Sequence, residues 1–579
     1  MFRGDAAHTG LYSAPLGREL AGLQWFVNTD GGVVSSPAVV GDTVWIGSAD
    51  GKVRALDRES GVVRWTTDLH SPVSSSPAIV EGRVFVSTRG GHIVALRSDS
   101  GSVIWNQALG PDRPWHWGHE SGDFWTSSVV VSGDLAIVGG GDGNVYALDI
   151  HRGTERWRAT TGGRVRATPA VADGRVFVGS ADGRMYALDL MTGKTRWTFA
   201  TVGDTLESGH FGYDRRTIQS SAAVAGNSVV FGARDGFVYA LSADSGKLQW
   251  RYDHKISWIN SSPAIADGVV YDGSSDGHFL QALDAKSGTE LWRAQIESII
   301  WSSPAVVGDL VVVGDGGGRV RAYDRKSGAV RWIFATGAAI YSSPVPSGKL
   351  VIVGSNDGGI YAIRTSDTAT VRAVFVDTAG PVKPEPADAR TIDYFTKVGY
   401  TPLNSAGLGS FLRARIADRT PSVIAFGMDN LPVEVVAEPL PRSLLRQYLD
   451  RGGKVVWWGV PPLLLKRDPK TGEPGGLDSF QWEKAGQLLG ISVTPTLFDR
   501  RMTQPTAAGR RWGLVARWRD SWGIDPAQVS EVLGLDDWGF AASWVKSFGG
   551  GPGTGFIRAP TGDAFADYLL SEYRPGGHH

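Results

Sequence analysis

SPAVVGDTVWIGSADGKVRALDRESGVVRW, residues 36–65, decides the fold. Four short runs rich in valine and other strand formers are separated by Gly41-Asp42, Asp50-Gly51 and Ser60-Gly61. Such pairs are tight-turn chemistry, because glycine supplies the positive φ that short hairpins need. The stretch has no helical period. It therefore predicts a four-stranded antiparallel blade.

The unit recurs. Triplets matching Ser35-Ser36-Pro37 begin at Ser75, Ser127, Ala167, Ser220, Ser261, Ser302 and Ser342, 40 or 41 residues apart except for two steps of 52 and 53. Periods of this size signal propellers or solenoids. Tryptophans close the units at Trp25, Trp65, Trp105, Trp157, Trp197, Trp250, Trp292 and Trp332. An isolated blade cannot cover both of its faces, whereas a closed ring of blades covers them all and leaves only short edges. Each indole is expected in an outer strand, filling the wedge between blades. Trp25 precedes the first triplet, and no tryptophan closes the unit that opens at Ser342. Residues 20–27 are thus expected to supply the outer strand of an eighth blade.

The spacing Ala-x-Asp-x-x-x-Gly-x-x-x-Trp stands as Ala55, Asp57, Gly61 and Trp65, and recurs at Ala147, Ala187, Ala282 and Ala322. Arg97, Ser242 and Arg364 replace its aspartate in the second, fifth and eighth units. These residues resemble the PQQ enzyme repeat, and Phe2-Arg3-Gly4 with His8-Thr9-Gly10 is similar to the start of mature members. The resemblance spans about residues 1–366 and implies an eight-bladed β-propeller. It is shared by quinoprotein dehydrogenases and outer-membrane assembly lipoproteins, so it implies the fold more strongly than a function. For the dehydrogenases it implies pyrroloquinoline quinone and calcium as cofactors, with an adjacent cysteine pair beneath the quinone. This chain has no cysteine, and no matching aspartate base can be assigned.

Composition narrows the field further. The 579 residues are 42% hydrophobic and 20% charged, with a formal net charge of −1, so no global field draws the chain to nucleic acid. The lack of cysteine removes disulfides, thiolate metal sites and cysteine nucleophiles together. No apolar run is long enough to span a bilayer as a helix. Arg3, Asp5 and His8 interrupt any signal peptide beginning at Met1. The expectation is a periplasmic or extracellular mature form whose leader has been removed, with His578-His579 a tag remnant.

After Thr365 the period stops. Residues 367–579 read as an α/β domain: strands at 371–376, 423–426 and 454–458, helices at about 387–398 and 442–450, and later pieces at 480–489, 541–546, 555–558 and 563–573. Alternation of this kind predicts an open parallel sheet, with the proline-rich loop 381–386 near its ligand edge. The run 444–459, a helix ending in Asp-Arg-Gly-Gly before a strand, resembles class I glutamine amidotransferase-like domains. Neither Gly427-Met428-Asp429-Asn430 nor Gly459-Val460-Pro461-Pro462 offers a thiol or hydroxyl, so the domain is expected to be inert for that chemistry.

The two long steps carry insertions in blade-to-blade connections, on the face that bears the Asp-Gly hairpins. The first, 110–125, holds Trp115, His116, Trp117, His119, Glu120 and Asp123; the second, 202–218, holds His210, Tyr213, Arg215 and Arg216. Imidazoles and tyrosine make His116, His119, His210 and Tyr213 catalytic candidates. His116 and His119 with Glu120 or His210 are also a weak divalent-metal candidate. The competing reading is a plug for the channel or a dock for the second domain. Ahead of the proline column stand Val34, Ser74, Thr126, Arg166, Gln219, Asn260, Trp301 and Tyr341, and two residues earlier Arg164 and Trp258. These positions differ blade by blade, which makes Arg164, Arg166, Gln219, Trp258, Asn260, Trp301 and Tyr341 ligand-binding candidates beside the insertion residues. The Asp-Gly pairs at Asp50, Asp142, Asp182, Asp235, Asp276 and Asp357 read as hairpin turns rather than calcium motifs.

Three functions fit this pattern. The first is an exported recognition protein binding a glycan, peptide or small organic ligand at the channel mouth, with a protein partner in reach. The alternative is a polysaccharide hydrolase or lyase using histidine, tyrosine and arginine of the insertion face. A quinone-dependent dehydrogenase ranks last.

Overall fold

The computed structural model describes residues 2–113, 125–206, 214–255, 258–377, 400–427, 431–458, 481–492 and 523–548, with shorter stretches at 392–393, 395–396, 462–463, 501–506, 508–509, 514, 517–520 and 555–559. It divides into two compact units, Met1–Arg18 with Gln24–Thr365, and Glu19–Leu23 with Ser366–His579.

The first unit is the expected ring. Eight sheets follow one another, the first built from Ala38–Val40, Thr43–Gly47, Lys52–Asp57 and Val63–Asp68 in that order. Inner strands touch their neighbours all the way round, including the first against the eighth. The eighth sheet contains Val345–Ser347, Leu350–Gly354 and Gly359–Ser366, and its outer strand is Glu19–Asn28 from the start of the chain. Second strands such as Thr43–Gly47 are buried throughout, whereas outer strands such as Val63–Asp68 are largely exposed.

The repeat motif is the device that docks blade on blade. A bulge at Arg64 lets Ala55 face Trp65 while Leu56 faces Val63, and the same shift precedes each later tryptophan up to Trp332. The Trp25 indole donates to the Arg58 carbonyl of the next blade at 2.8 Å and lies over Gly61, where a Cβ would stand 2.7 Å from the ring. With φ at +72°, Gly61 is also in the region that favours glycine. Six further indoles donate in the same way. Trp332 is the exception among the described residues: its ring nitrogen has no acceptor, because the third strand of the eighth blade runs on to Ser366 where the other blades turn. The motif aspartate holds the turn, Asp57 accepting from the Glu59 and Ser60 amides and from Arg64 at 2.8 Å. The Arg64 and Ser60 side-chain bonds keep its carboxyl far below the usual range.

A strap crosses the ring on the side opposite the hairpins. The carbonyls of Ala6, Ala7, Thr9 and Gly10 accept from the amides of Val171, Val224, Ile265 and Val306, one in each of blades four to seven. Leu11–Tyr12 then pairs in parallel with Val306 and Val307. Arg3 donates to the Pro263 carbonyl at 2.7 Å, and His8 is wholly buried.

In the second unit nine strands form one sheet, in the order Thr401–Leu403, Val371–Phe375, Ser422–Phe426, Lys454–Trp458, Gly555–Ala559, Ala541–Lys546, Glu531–Asp536, Arg501–Pro505 and Trp518–Asp520. The first five are parallel, as expected. The remainder are antiparallel, which corrects the expectation of a parallel sheet: connections 537–540 and 547–554 are too short for a crossover helix. Helices cover Ser405–Asp418, Leu444–Asp450 and Trp482–Leu489. Gly407 and Gly409 obscured the first of these in the sequence; Asn404 caps it by accepting from the Gly407 amide at 2.9 Å. Phe375, Phe426, Trp457, Trp544 and Phe556 fill the core of one face. Of the helix expected at 387–398, residues 392, 393, 395 and 396 are described, as helix, while loop 381–386 and the closing helix lie outside the described residues.

Candidate functional site

Alternation along the inner strands sends every second residue into the central channel. Residues 34 and 36 of the first blade and their counterparts line it. The lined section spans about 530 Å³ of space between atoms, open solvent included.

The lower layer is uniform. Ser36, Ser76, Ser128, Thr168, Ser221, Ser262, Ser303 and Ser343 each accept, through the hydroxyl oxygen, the backbone N–H of the counterpart in the preceding blade at 2.8–3.2 Å. The last bond, from the Ser343 amide to the Ser36 oxygen, closes the circle. Each oxygen accepts one bond, which leaves the hydroxyl one proton to donate and one lone pair to accept with. Phe2 also lines this section, on the side of the strap.

The upper layer breaks the symmetry. Trp125, leading into blade three, packs its ring 5.3 Å from Trp301 of blade seven and 5.8 Å from Tyr341 of blade eight. Blades three and seven are opposite in a ring of eight, so the indole bridges the channel. Trp301 and Tyr341 lie 4.9 Å apart, and the Trp301 ring nitrogen donates to Ser275 at 2.8 Å. On one side of the bridge stand Val34 and Ser74; on the other stand Arg166, Gln219 and Asn260. Burial pushes the Tyr341 hydroxyl above its ordinary pKa, which makes it a poor base near neutrality.

The polar half is tied together by side chains that sequence reasoning did not select. Asp112 binds Arg166 and lies 3.6 Å from Arg164, whose Nε donates to the Arg113 carbonyl at 2.6 Å. Arg113 reaches the Thr161 carbonyl at 3.2 Å. A Cβ at Gly141 would collide with Asp112 and the Arg166 guanidinium, so the third hairpin leaves room for this pair. Arg234 donates to the Gln219 side-chain oxygen at 2.7 Å and stacks 4.4 Å over Trp258. The Asn260 side-chain oxygen is buried and has no hydrogen-bond partner among the described residues.

Of the predicted site residues, Arg166, Gln219, Asn260, Trp301 and Tyr341 share the lining, and Arg164 and Trp258 flank it. Arg216 lies against Gly183 in the hairpin of blade four, and the Arg215 carbonyl against Gly203. Trp115, His116, Trp117, His119, Glu120, Asp123, His210 and Tyr213 lie outside the described residues. The hairpin reading holds where Asp50, Asp142, Asp182, Asp235 and Asp357 each accept the amide two residues on. Blade six departs from it: positive φ falls on His278 rather than Gly277, because the turn there is one residue longer.

A quinone and calcium do not fit these residues. The described lining contains no carboxylate to coordinate calcium, its only side-chain oxygens being hydroxyls and amides, and the chain has no cysteine pair to lie beneath a quinone. No group of three histidine, aspartate or glutamate side chains among the described residues could hold a metal.

A family model described as outer membrane protein assembly factor BamB matches residues 10–116, 95–271, 205–339 and 277–379, and a second, the MJECL34 family, matches 383–565. Outer membrane protein assembly factor BamB of Salmonella typhimurium is 35% identical over 214 residues, 34% of this chain and 50% of that protein. Quinohemoprotein alcohol dehydrogenase ADH-IIG of Pseudomonas putida is 36% identical over 96 residues, 14% of this chain and 13% of that enzyme. The chain thus spans half or less of these relatives' length. Among solved structures, BamB from Moraxella catarrhalis superposes with a TM-score of 0.50 at 22% identity, covering 59% of this chain and 99% of that one. A europium-containing methanol dehydrogenase superposes at 0.52 and 17% identity, covering 62% and 90%. At these identities the likeness shows the propeller fold alone.

Proposed function

The chain belongs to the family of outer membrane protein assembly factor BamB, and from that premise we propose that its propeller is an exported recognition domain. It works in the periplasm or outside the cell and takes a glycan, peptide or small organic ligand at the channel mouth. The observation that carries this reading is the contrast between the two channel layers. Eight near-identical hydroxyls form the lower one, while the upper one is split by Trp125 into a small-residue half and a half with Arg166, Gln219 and Asn260. A ring that needed only to close would gain nothing from such irregularity; a ligand needs it. In the described residues no helix is long and apolar enough to cross a membrane, which agrees with an exported domain. Because curated relatives are named as assembly factors, a protein partner belongs to the same reading. Residues 367–579 form a separate amidotransferase-like domain, without that chemistry's nucleophile, that adds a second recognition surface.

The test is thermal denaturation of the full chain against glycan, peptide and metabolite libraries. A ligand at 100 times its Kd stabilises by about 2.7 kcal/mol. The stabilisation should vanish in Trp301→Ala. Silence across all three libraries, or full retention in that variant, would sink the proposal.

A further inference from the structure

We infer that the outer strand of blade two, Val103–Ala108, is a docking edge for a second copy of this chain, the two strands pairing antiparallel about a two-fold axis at Asn106. Every blade leaves one side of its outer strand unpaired, and a row of open backbone N–H and C=O groups takes up another strand unless charges guard it. Seven of the eight outer strands carry one to three charged side chains, with arginine directly before the tryptophan at Arg64, Arg156, Arg196 and Arg331. Val103–Ala108 reads VIWNQA and carries none, and Ile104 stands where those arginines do. Five of its six residues are exposed, more than in any other outer strand, among them Val103 and Ile104.

Backbone geometry makes the edge usable. The Leu109 amide donates to the Gly91 carbonyl at 2.7 Å, so alternation turns the backbone groups of Gln107 towards the third strand and those of Asn106 and Ala108 outward. Among the described residues no strand pairs with that outward side. The Ala108 carbonyl accepts from the Gln107 side-chain amide at 3.0 Å, a local bond that the N–H of a neighbouring strand can replace. The partner follows from the side chains. An axis through Asn106 sets Ile104 opposite Ala108 of the second copy, Trp105 opposite Gln107, and Asn106 opposite its own equivalent. Apolar side chains then meet at the ends and amides at the centre, with no like charges opposed. The same operation in blades three, five and six would set Arg158, Arg251 or Arg293 against itself. A contact of this kind uses up both edges and stops at two chains.

The experiment is analytical ultracentrifugation of the full chain between about 1 and about 100 µM, over which monomer should give way to a species of twice the mass. Ile104→Arg installs the residue that four sister strands carry, so the blade should fold, and it should weaken the dimer ten-fold or more. Asn106→Arg and Asn106→Asp should each be monomeric, because the axis sets like charges face to face, whereas an equimolar mixture of the two should dimerise again. Asn106→Asp keeps an acceptor for the His92 ring nitrogen, 2.8 Å away. Thermal melts at the lowest concentration, where every form is monomeric, separate lost pairing from misfolding. A wild-type chain that stays monomeric throughout overturns the inference and leaves the edge to a strand from another protein. A dimer that Ile104→Arg leaves intact overturns it too, as does a mixture that fails to reassociate.

Discussion

Trp25→Ala tests how the ring is closed. Trp25 belongs to the only outer strand that no hairpin joins to its blade, so its grip on Gly61 acts across a seam without covalent continuity. The side chain is 5% exposed and donates to the Arg58 carbonyl at 2.8 Å. Removing roughly 200 Å² of buried indole at about 25 cal/mol per Å² costs about 5 kcal/mol, and large-to-small aromatic changes cost about 3–5. Trp157 is the control, 8% exposed and donating to Leu190 at 2.9 Å, in a blade whose four strands are consecutive. Native-state hydrogen exchange separates the two. Trp25→Ala should lower protection in strand Glu19–Asn28 and its partner Gly359–Ser366 by about a thousand-fold, since about 4 kcal/mol of local stability is lost and each 1.4 is ten-fold. Trp157→Ala should leave strand Glu19–Asn28 protected. Wild-type protection of that strand in Trp25→Ala, or the same pattern in both variants, would refute closure by this strand.

Three other outcomes follow from the geometry. Ser221→Ala strips the acceptor from the buried Thr168 amide and should destabilise by about 1–3 kcal/mol in thermal melts, while Ser221→Thr should restore stability. Trp250→Phe loses a bond of 2.8 Å to Ala285, whereas Trp332→Phe loses none, so the former should be less stable by about 1 kcal/mol. Burial, aided by the Arg3 charge, lowers the His8 pKa to about 3, against about 6.5 in the unfolded chain. The unfolded chain binds the extra proton between those values, so stability should fall as pH drops from 6.5 towards 3, and His8→Phe should flatten that dependence in pH-resolved melts.

The ring was legible because its restraint is local and repeated: each turn glycine, each aspartate and each indole acts within one blade or on the next. Strand Glu19–Asn28 could be placed by counting, since Trp25 had no triplet before it and no tryptophan closed the unit that opens at Ser342. The channel was legible only in part. Arg166, Gln219, Asn260, Trp301 and Tyr341 stood out by failing to repeat, but Asp112, Arg113 and Arg234 sit in connections and hairpins where no period marks them. That Trp125, the last residue of the insertion 110–125, reaches across to Trp301 depends on ring diameter, which no spacing encodes. The hydroxyl column was visible as a repeated Ser-Ser-Pro, and the circular bonding that explains it appears only once the blades are side by side. In the second unit, two glycines hid a helix and short connections turned half the sheet antiparallel.

The strap at residues 6–10 and the strand at 19–28 are the earliest parts of this segment to leave the ribosome, yet their backbone ladder partners lie in blades four to eight, up to Ser366. Blades one to three can form as they emerge, each from consecutive hairpins, while the opening segment has side-chain contacts with blade one but no strand to pair with. The molecule therefore completes itself backwards, its first residues settling last. Until then, an unpaired strand end and an uncovered final blade are offered to any chaperone, or any neighbouring chain, within reach.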